Sequence, residues 1–295
     1  MEKLKIGITA DSSSGIEYAP FKTNVKVTRT LITLNGKEYL DGRDINDDQF
    51  YKMIQETDSV PTTSAPETGM LISKAEEWAS EGATDVIHFA ISSKLSKYCE
   101  HCGPIVQGLL DSDINYHVFD SHSATLLEGL NAHYAEILAN KGYSVEEIFA
   151  ECRKFSDNTE AFFVVDDLKY LVKSGRLSGA AGFIGSLVKI KPVLHLTNEG
   201  EIVTYEKIRT HSKAIERMFE LLVDSAKDAK KVLYVVLHTD RYDDAVVLKE
   251  KLESTVSNAH LSYLSTITPT VGAHIGAKIL GIGRVVLDDL KEDFE

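Results

Sequence analysis

The sequence predicts an α/β protein of two domains: an N-terminal parallel-sheet α/β domain over residues 1–158 and a C-terminal α+β domain over residues 159–295. Three observations carry this. Apolar runs of strand length in the first half are separated by helices, the pattern of βαβ crossovers. The second half mixes hairpin signals with crossovers. Between them lies the polar stretch Ser156-Asp-Asn-Thr159, and a chain of 295 residues holds two domains at roughly 150 residues each.

Lys5 to Ala10 is a short apolar run that ends at Asp11-Ser-Ser-Ser-Gly15. Val25 to Leu34 and Lys37 to Leu40 flank Asn35-Gly36, whose two residues accept the positive φ of a tight hairpin turn. Asn46 with Gln49 starts a helix through Phe50, Met53 and Ile54. A helix over 67–80, a strand Val86 to Ile91, a helix from Leu95 to Leu110, a strand Tyr116 to Phe119 and a helix over 123–140 follow. Ser144 and Glu147 form a capping box for the next helix. Beyond the boundary come a strand Ala161 to Val165, a short helix Leu168 to Lys173 and a glycine-rich stretch over 174–185. Strands Pro192 to Leu196 and Ile202 to Tyr205 are joined by Thr197-Asn-Glu-Gly200. A helix over 212–227, strand Val232 to Leu237, helix 243–254 and strand Leu261 to Ile267 lead to Gly272-Ala-His274-Ile-Gly276.

The net charge of −13 disfavours a nucleic-acid backbone or an anionic membrane surface as partner. Three cysteines exclude a disulfide framework. No signal peptide or membrane-length apolar run is present, so the expectation is a soluble, cytoplasmic protein without stable membrane insertion.

Several constellations carry two readings. Cys99-Glu-His-Cys102 is a CxxC, but a zinc site needs four ligands and no second pair exists; two helix cysteines explain it as well. No metal or cofactor is expected. A Ser/His hydrolase or transferase on a small acyl or phosphate substrate is the alternative function, although no Gly-x-Ser-x-Gly elbow occurs. Asp11-Ser-Ser-Ser-Gly15 offers hydroxyls to an anion, or merely forms a turn. Four further segments combine small hydroxyls and glycines with a strong donor: 61–66, 91–96, 173–178 and 272–276. Singly, each is a turn or a cap, and Thr63 or Ser64 could simply cap the following helix. Together they could surround one anion.

These segments resemble the DegV family of bacterial fatty-acid-binding proteins. Ile8-Thr-Ala-Asp11-Ser12 is similar to its opening strand and loop, Thr63-Ser64-Ala65-Pro66 to its Thr-Ser-Gln-Pro, and Ile91-Ser-Ser-Lys-Leu-Ser96 to its serine loop. Asp120-Ser-His-Ser-Ala124, the run from Leu168 through Arg176-Leu-Ser178, Lys191-Pro192 and Gly272-Ala-His274-Ile-Gly276 follow in the family's order. Ala65, Lys94, Lys97 and Ile275 depart from its pattern; a lysine at 94 leaves its backbone N–H available if φ there is negative.

The resemblance implies a lipid held between the two domains by a carrier that is not itself an enzyme. A long-chain fatty acid would be the ligand, with a fatty acid kinase subunit as partner. Its carboxylate would meet Thr63, Ser93, Lys94 and His274. Arg176 and His274 would face the phosphorylated head group, and Thr62, Ser64, Ser92 and Ser96 are secondary candidates. Candidate walls of the apolar tunnel are Leu31, Ile32, Phe162, Phe183, Ile184, Leu187, Val188 and Leu194, each equally readable as ordinary core. About 15 buried methylenes at about 0.8 kcal/mol each supply up to ~12 kcal/mol before association costs, so the tail dominates affinity and the head group sets orientation.

Overall fold

Residues 5–179 and 190–294 are described by the structure, a computed structural model. Strand β1 (Ile6–Asp11) is buried on both faces. It pairs in parallel with β2 (Lys26–Thr28). A hairpin of β3 (Leu31–Leu34) and β4 (Lys37–Leu40) turns at Asn35 and Gly36, both at positive φ. Helix α1 (Asp47–Gln55) opens on the expected Asn46–Gln49 capping box. Strand β5 (Thr62–Ser64) then pairs antiparallel with β3, closing a small sheet of order β4-β3-β5. Next come α2 (Thr68–Ser80), β6 (Asp85–Ala90), α3 (Cys99–Gln107), β7 (Asn115–Asp120), α4 (Thr125–Lys141) and α5 (Val145–Asp157). The main N-terminal sheet runs β2-β1-β6-β7, all parallel, as the βαβ pattern predicts.

The second sheet is mixed. Strands β8 (Thr159–Val164), β9 (Lys191–Leu196), β10 (Ile202–Ile208), β11 (Val232–His238), β12 (Ala259–Thr266) and β13 (Leu280–Val286) align in the order β10-β9-β8-β13-β11-β12. Only β11 and β12 are parallel. Helices α6 (Lys169–Ser174), α7 (His211–Ser225), α8 (Tyr242–Thr255) and α9 (Pro269–Ile275) complete the chain. Helix α4 is buried along most of its length, since it contacts β1 and β6 of the first sheet and β11 of the second.

Four sequence expectations change. The run Val25 to Leu34 is not one strand: the chain leaves the parallel sheet after Thr28, where the Thr30 N–H donates to Ser12 Oγ at 3.1 Å, and enters the small sheet. The helix from Leu95 begins only at Cys99, because residues 92–96 turn back on the Ser92 carbonyl. Thr63 and Ser64 form an edge strand and cap nothing; the residue before α2 is Glu67, with no side-chain cap. Strand β13 gave no signal in Leu280-Gly-Ile-Gly-Arg-Val-Val286, since two glycines dilute a strand pattern. The second glycine has a packing reason: a Cβ on Gly283 would lie 2.6 Å from Leu127 Cδ1 of α4.

Candidate functional site

Loops at the carboxyl ends of parallel strands gather ligands. Here the ends of β1 and β6 meet β5, the residues after α6, and α9. Thr63 of β5 and His274 of α9 face each other with Oγ1 and Nε2 2.7 Å apart. The two glycines flanking His274 are explained by close approach: a Cβ on Gly272 would lie 2.3 Å from Tyr51 Oη, and Gly276 sits at φ +90° against the Tyr170 ring. Glycine thus lets α9 press between α1 and α6, and this places His274. Burial, with the Arg176 charge second, pushes the imidazole down to about 4, so it is neutral at pH 7. Its Nδ1 is buried without a partner among the described residues.

Arg176 follows Gly175, which ends α6 at φ +72°. The guanidinium donates through Nε to the Leu95 carbonyl at 3.3 Å and through Nη1 to the Ser174 carbonyl. Arg176, Thr63, Ser64, Ser96, Tyr98, Asp11, Ser13 and His274 supply polar groups to the wall of one cavity of about 100 Å³, a polar chamber only in this part, since the larger share of its surface is apolar. Beyond it lies an almost wholly apolar cavity of about 60 Å³, lined by Leu127, Ala161, Phe162, Phe163, Leu237 and Ile282 among others. Leu95, Ile202, Val271 and Ile275 wall both cavities, so the two chambers are adjacent. Their joint volume falls short of the ~300 Å³ at which ligand pockets begin.

Of the expected head-group residues, the structure brings together Thr63, Ser64, Ser96, Arg176 and His274. It does not place Thr62, Ser92, Ser93 or Lys94 on the cavity wall. Thr62 is exposed and paired with Thr33. Ser92 is buried and donates to the Gly200 carbonyl at 2.8 Å, tying the β9–β10 hairpin to the serine loop. The Ser93 N–H donates to Asp120 Oδ1 at 3.2 Å. Lys94 is exposed; it is absent from the positive-φ residues, and its N–H donates to Ser92 Oγ. Its departure from glycine therefore leaves this backbone turn intact.

Of the expected tunnel residues, Phe162 lines the apolar chamber. Ile32 belongs to a separate cluster with Phe50, Tyr51 and Tyr170, while Leu194 is fully buried core; Leu31 lines neither chamber. The small sheet packs toward α1, which is why Ile32 turns away. Phe183, Ile184, Leu187 and Val188 lie outside the described residues.

Asp11 and Ser13, from the loop read either as an anion site or as a turn, also line the cavity, and so does Tyr98, which the sequence did not point to. Asp11 accepts from the N–H groups of Ser13 (2.8 Å) and Ile91 (3.3 Å) and from the Tyr98 and Ser13 hydroxyls. Tyr98 immediately precedes α3; for Asp11 and Ser13 the position at the end of the first strand was the available signal. The shared walls Val271, Ile275 and Ile202 had none, because they converge only in tertiary structure.

The rival chemistries find little support in this geometry. A Ser/His triad needs an acid on the second ring nitrogen, and His274 Nδ1 has no partner. Burial raises the Cys99 thiol to about 12 and Cys102 to about 11, opposite to a reactive CxxC. Among the described residues, no cluster of His, Cys, Asp or Glu is placed to hold a metal ion. None of their helices is long and apolar enough to cross a membrane.

The family model described as "Uncharacterised protein, DegV family" matches residues 5–286. The chain is 33% identical over 287 residues to the DegV domain-containing protein SACOL0812 of Staphylococcus aureus, covering 96% of this chain and 98% of that one. It is 33% identical over 281 residues to Protein DegV of Bacillus subtilis, covering 95% and 98%. Among solved structures, DegV of Bacillus subtilis, described as a fatty acid binding protein, superposes with a TM-score of 0.84 at 31% identity, covering 96% of this chain and 99% of that one. The fatty acid binding DegV family protein SAG1342 of Streptococcus agalactiae gives 0.84 at 26%, with the same coverage. The ordered motifs, the two-sheet architecture and these matches make this chain a member of the DegV family.

Proposed function

We propose that this protein binds a long-chain fatty acid, with the carboxyl group in the polar chamber and the tail in the apolar one. The observation that carries this reading is the shared wall of Leu95, Ile202, Val271 and Ile275 between a chamber of donors and a chamber of hydrocarbon. A buried carboxylate costs several kcal/mol unless hydrogen bonds replace its water. With the neutral His274 donating from Nε2 to Thr63 Oγ1, the Thr63, Ser64 and Ser96 hydroxyls and the guanidinium of Arg176 are the available donors. The tail enters the 60 Å³ chamber by displacing side chains that now fill the interior, so the loaded state is more open than this one.

We further propose that the protein is a carrier that presents the carboxyl to a fatty acid kinase and performs no chemistry itself. Arg176 is always charged and forked, which suits an acyl phosphate better than a point charge would. Lys94 sits on the exposed side of the serine loop, beside the half-buried Ser93, which leaves it to a partner or to the entrance of the site.

Denaturing mass spectrometry of protein purified from bacteria is expected to release a C14–C18 fatty acid in near-stoichiometric amount. Delipidated protein that binds none of these acids would overturn the reading. In the same preparation, Arg176→Ala is expected to keep the free acid but to lose kinase-dependent acyl phosphate; equal loss of both would refute the division between acid and phosphate recognition.

A further inference from the structure

Behind the polar chamber lies a buried carboxyl pair that ligand binding as described above does not use. Asp11 at the end of β1 and Glu128 in the first turn of α4 both touch the hydroxyl of Ser13, with Ser13 Oγ 2.7 Å from Glu128 Oε2. Both carboxyls are almost wholly buried, Asp11 at 1% exposure and Glu128 at 0%. A hydroxyl has one proton to give. Asp11 accepts that proton together with three other donors, so it carries the charge. Glu128 is held protonated by burial and by the neighbouring Asp11 charge, and its proton turns to Ser13 Oγ.

The same count continues outward. Tyr98 donates to Asp11 and therefore accepts at its oxygen from His88 Nε2, 3.1 Å away; His88 Nδ1 then accepts from the Thr9 hydroxyl at 2.9 Å. The titratable groups around the chamber are Asp11, Glu128, Tyr98, His88, Arg176 and His274, with Cys102 of α3, Asp120 of β7 and Asp41, which holds Thr270 of the cavity wall, further back. Arg176 contributes one positive charge and Asp11 one negative charge, and the other groups facing the cavity are neutral. The chamber is balanced before any ligand enters.

We propose that Asp11 makes fatty acid binding proton-coupled: a carboxylate enters the head chamber together with one proton from solvent, which then rests between the ligand carboxyl and His274. This rests on the fatty acid reading. A second anion in a cavity of about 100 Å³ that already contains ionised Asp11 is strongly disfavoured, as in any pair of carboxyls sharing a buried site. The unpartnered Nδ1 of His274 gives the proton a place opposite the ligand oxygen. Asp11 acts here as a positioning charge, not as a donor to the ligand.

Calorimetric titration of delipidated protein with sodium laurate at pH 7.4, in phosphate and in Tris buffer, tests this directly. The difference in heat between buffers is expected to report uptake of about one proton per laurate, and the affinity to tighten up to about tenfold for each unit by which pH falls between 8 and 6.5. Asp11→Asn is expected to bind laurate with little buffer dependence. Glu128→Gln is expected to keep the full proton uptake, since Glu128 is already neutral. 1-Dodecanol, with the same tail and no charge, is expected to bind wild-type protein without proton uptake. Laurate binding with no buffer dependence in the wild type would overturn the proposal while leaving lipid binding in place, as would full proton uptake in Asp11→Asn. Failure of both laurate and dodecanol to bind would overturn the lipid reading itself. Should Asp11→Asn fail to fold, the laurate–dodecanol comparison in wild-type protein still decides.

Discussion

Ala161→Leu is expected to weaken fatty acid binding about 30-fold while leaving the delipidated protein as stable as the wild type or more so. Ala161 lies on β8 between Leu196 and Gly283 and faces the apolar chamber. Three added carbons fill space that the acyl chain would occupy. Displacing about three methylenes at about 0.8 kcal/mol each removes about 2 kcal/mol of binding. In the empty protein the same carbons fill a void, a change that commonly stabilises by ~0.5–2 kcal/mol. Opposite signs for binding and stability separate a ligand chamber from ordinary core. Equal affinity of mutant and wild type for a C16 acid, measured by displacement of a fluorescent fatty acid, would remove this chamber from the binding site.

The second large effect concerns acid. His88 is completely buried on β6, and burial pushes its imidazole from 6.5 down to about 4. An unfolded chain protonates that imidazole near 6.5, whereas the folded one resists until about 4. Between those values the unfolded state binds a proton that the folded state lacks. Stability therefore falls as pH falls through this window, by about 3 kcal/mol for this residue. Asp41 works in the opposite direction. Its carboxyl, buried and accepting the Thr270 N–H at 3.1 Å, is raised by burial to about 6, so its contribution grows as pH drops from about 6 toward its unfolded value. The wild-type curve sums these two with the other shifted groups, His274 and the buried Glu128 among them. His88→Gln isolates the first: in denaturant unfolding the gap between wild type and variant is expected to shrink by about 3 kcal/mol from pH 7 to pH 4. A gap that stays constant across this range would show that His88 is protonated in the fold.

Much of the architecture was legible because local chemistry and tertiary outcome agree. Asn35-Gly36, the Asn46–Gln49 box and the Ser144–Glu147 box each specify a backbone geometry that the fold then uses. Legibility fails where packing overrides local signals. Leu280 to Val286 is a central strand whose Gly283 answers to Leu127 of α4, a helix more than 100 residues earlier. Thr62 to Ser64 looks like a cap and forms a strand, because β3 offers an edge for pairing.

The site divides the same way. Thr63, Arg176 and His274 were found because each sits in a motif whose glycines and hydroxyls are unusual in composition. Their convergence, 211 residues apart for Thr63 and His274, could not be read from either segment alone. Ser92 and Ile32 were drawn toward the ligand by their motif and their hydrophobicity, and the structure gives them other partners. Asp11 and Glu128 show the remaining gap. One looked like a turn residue and the other like a polar residue on a helix, and only burial reveals that they share a proton-bearing hydroxyl.

Crystallography of the protein as purified with its lipid tests the central claim most directly. The expected result is continuous tubular density that starts between Thr63, His274 and Arg176, passes Leu95, Ile202, Val271 and Ile275, and ends among Leu127, Ala161 and Phe162. Side chains packed solidly along that path, or lipid density elsewhere on the molecule, would contradict it.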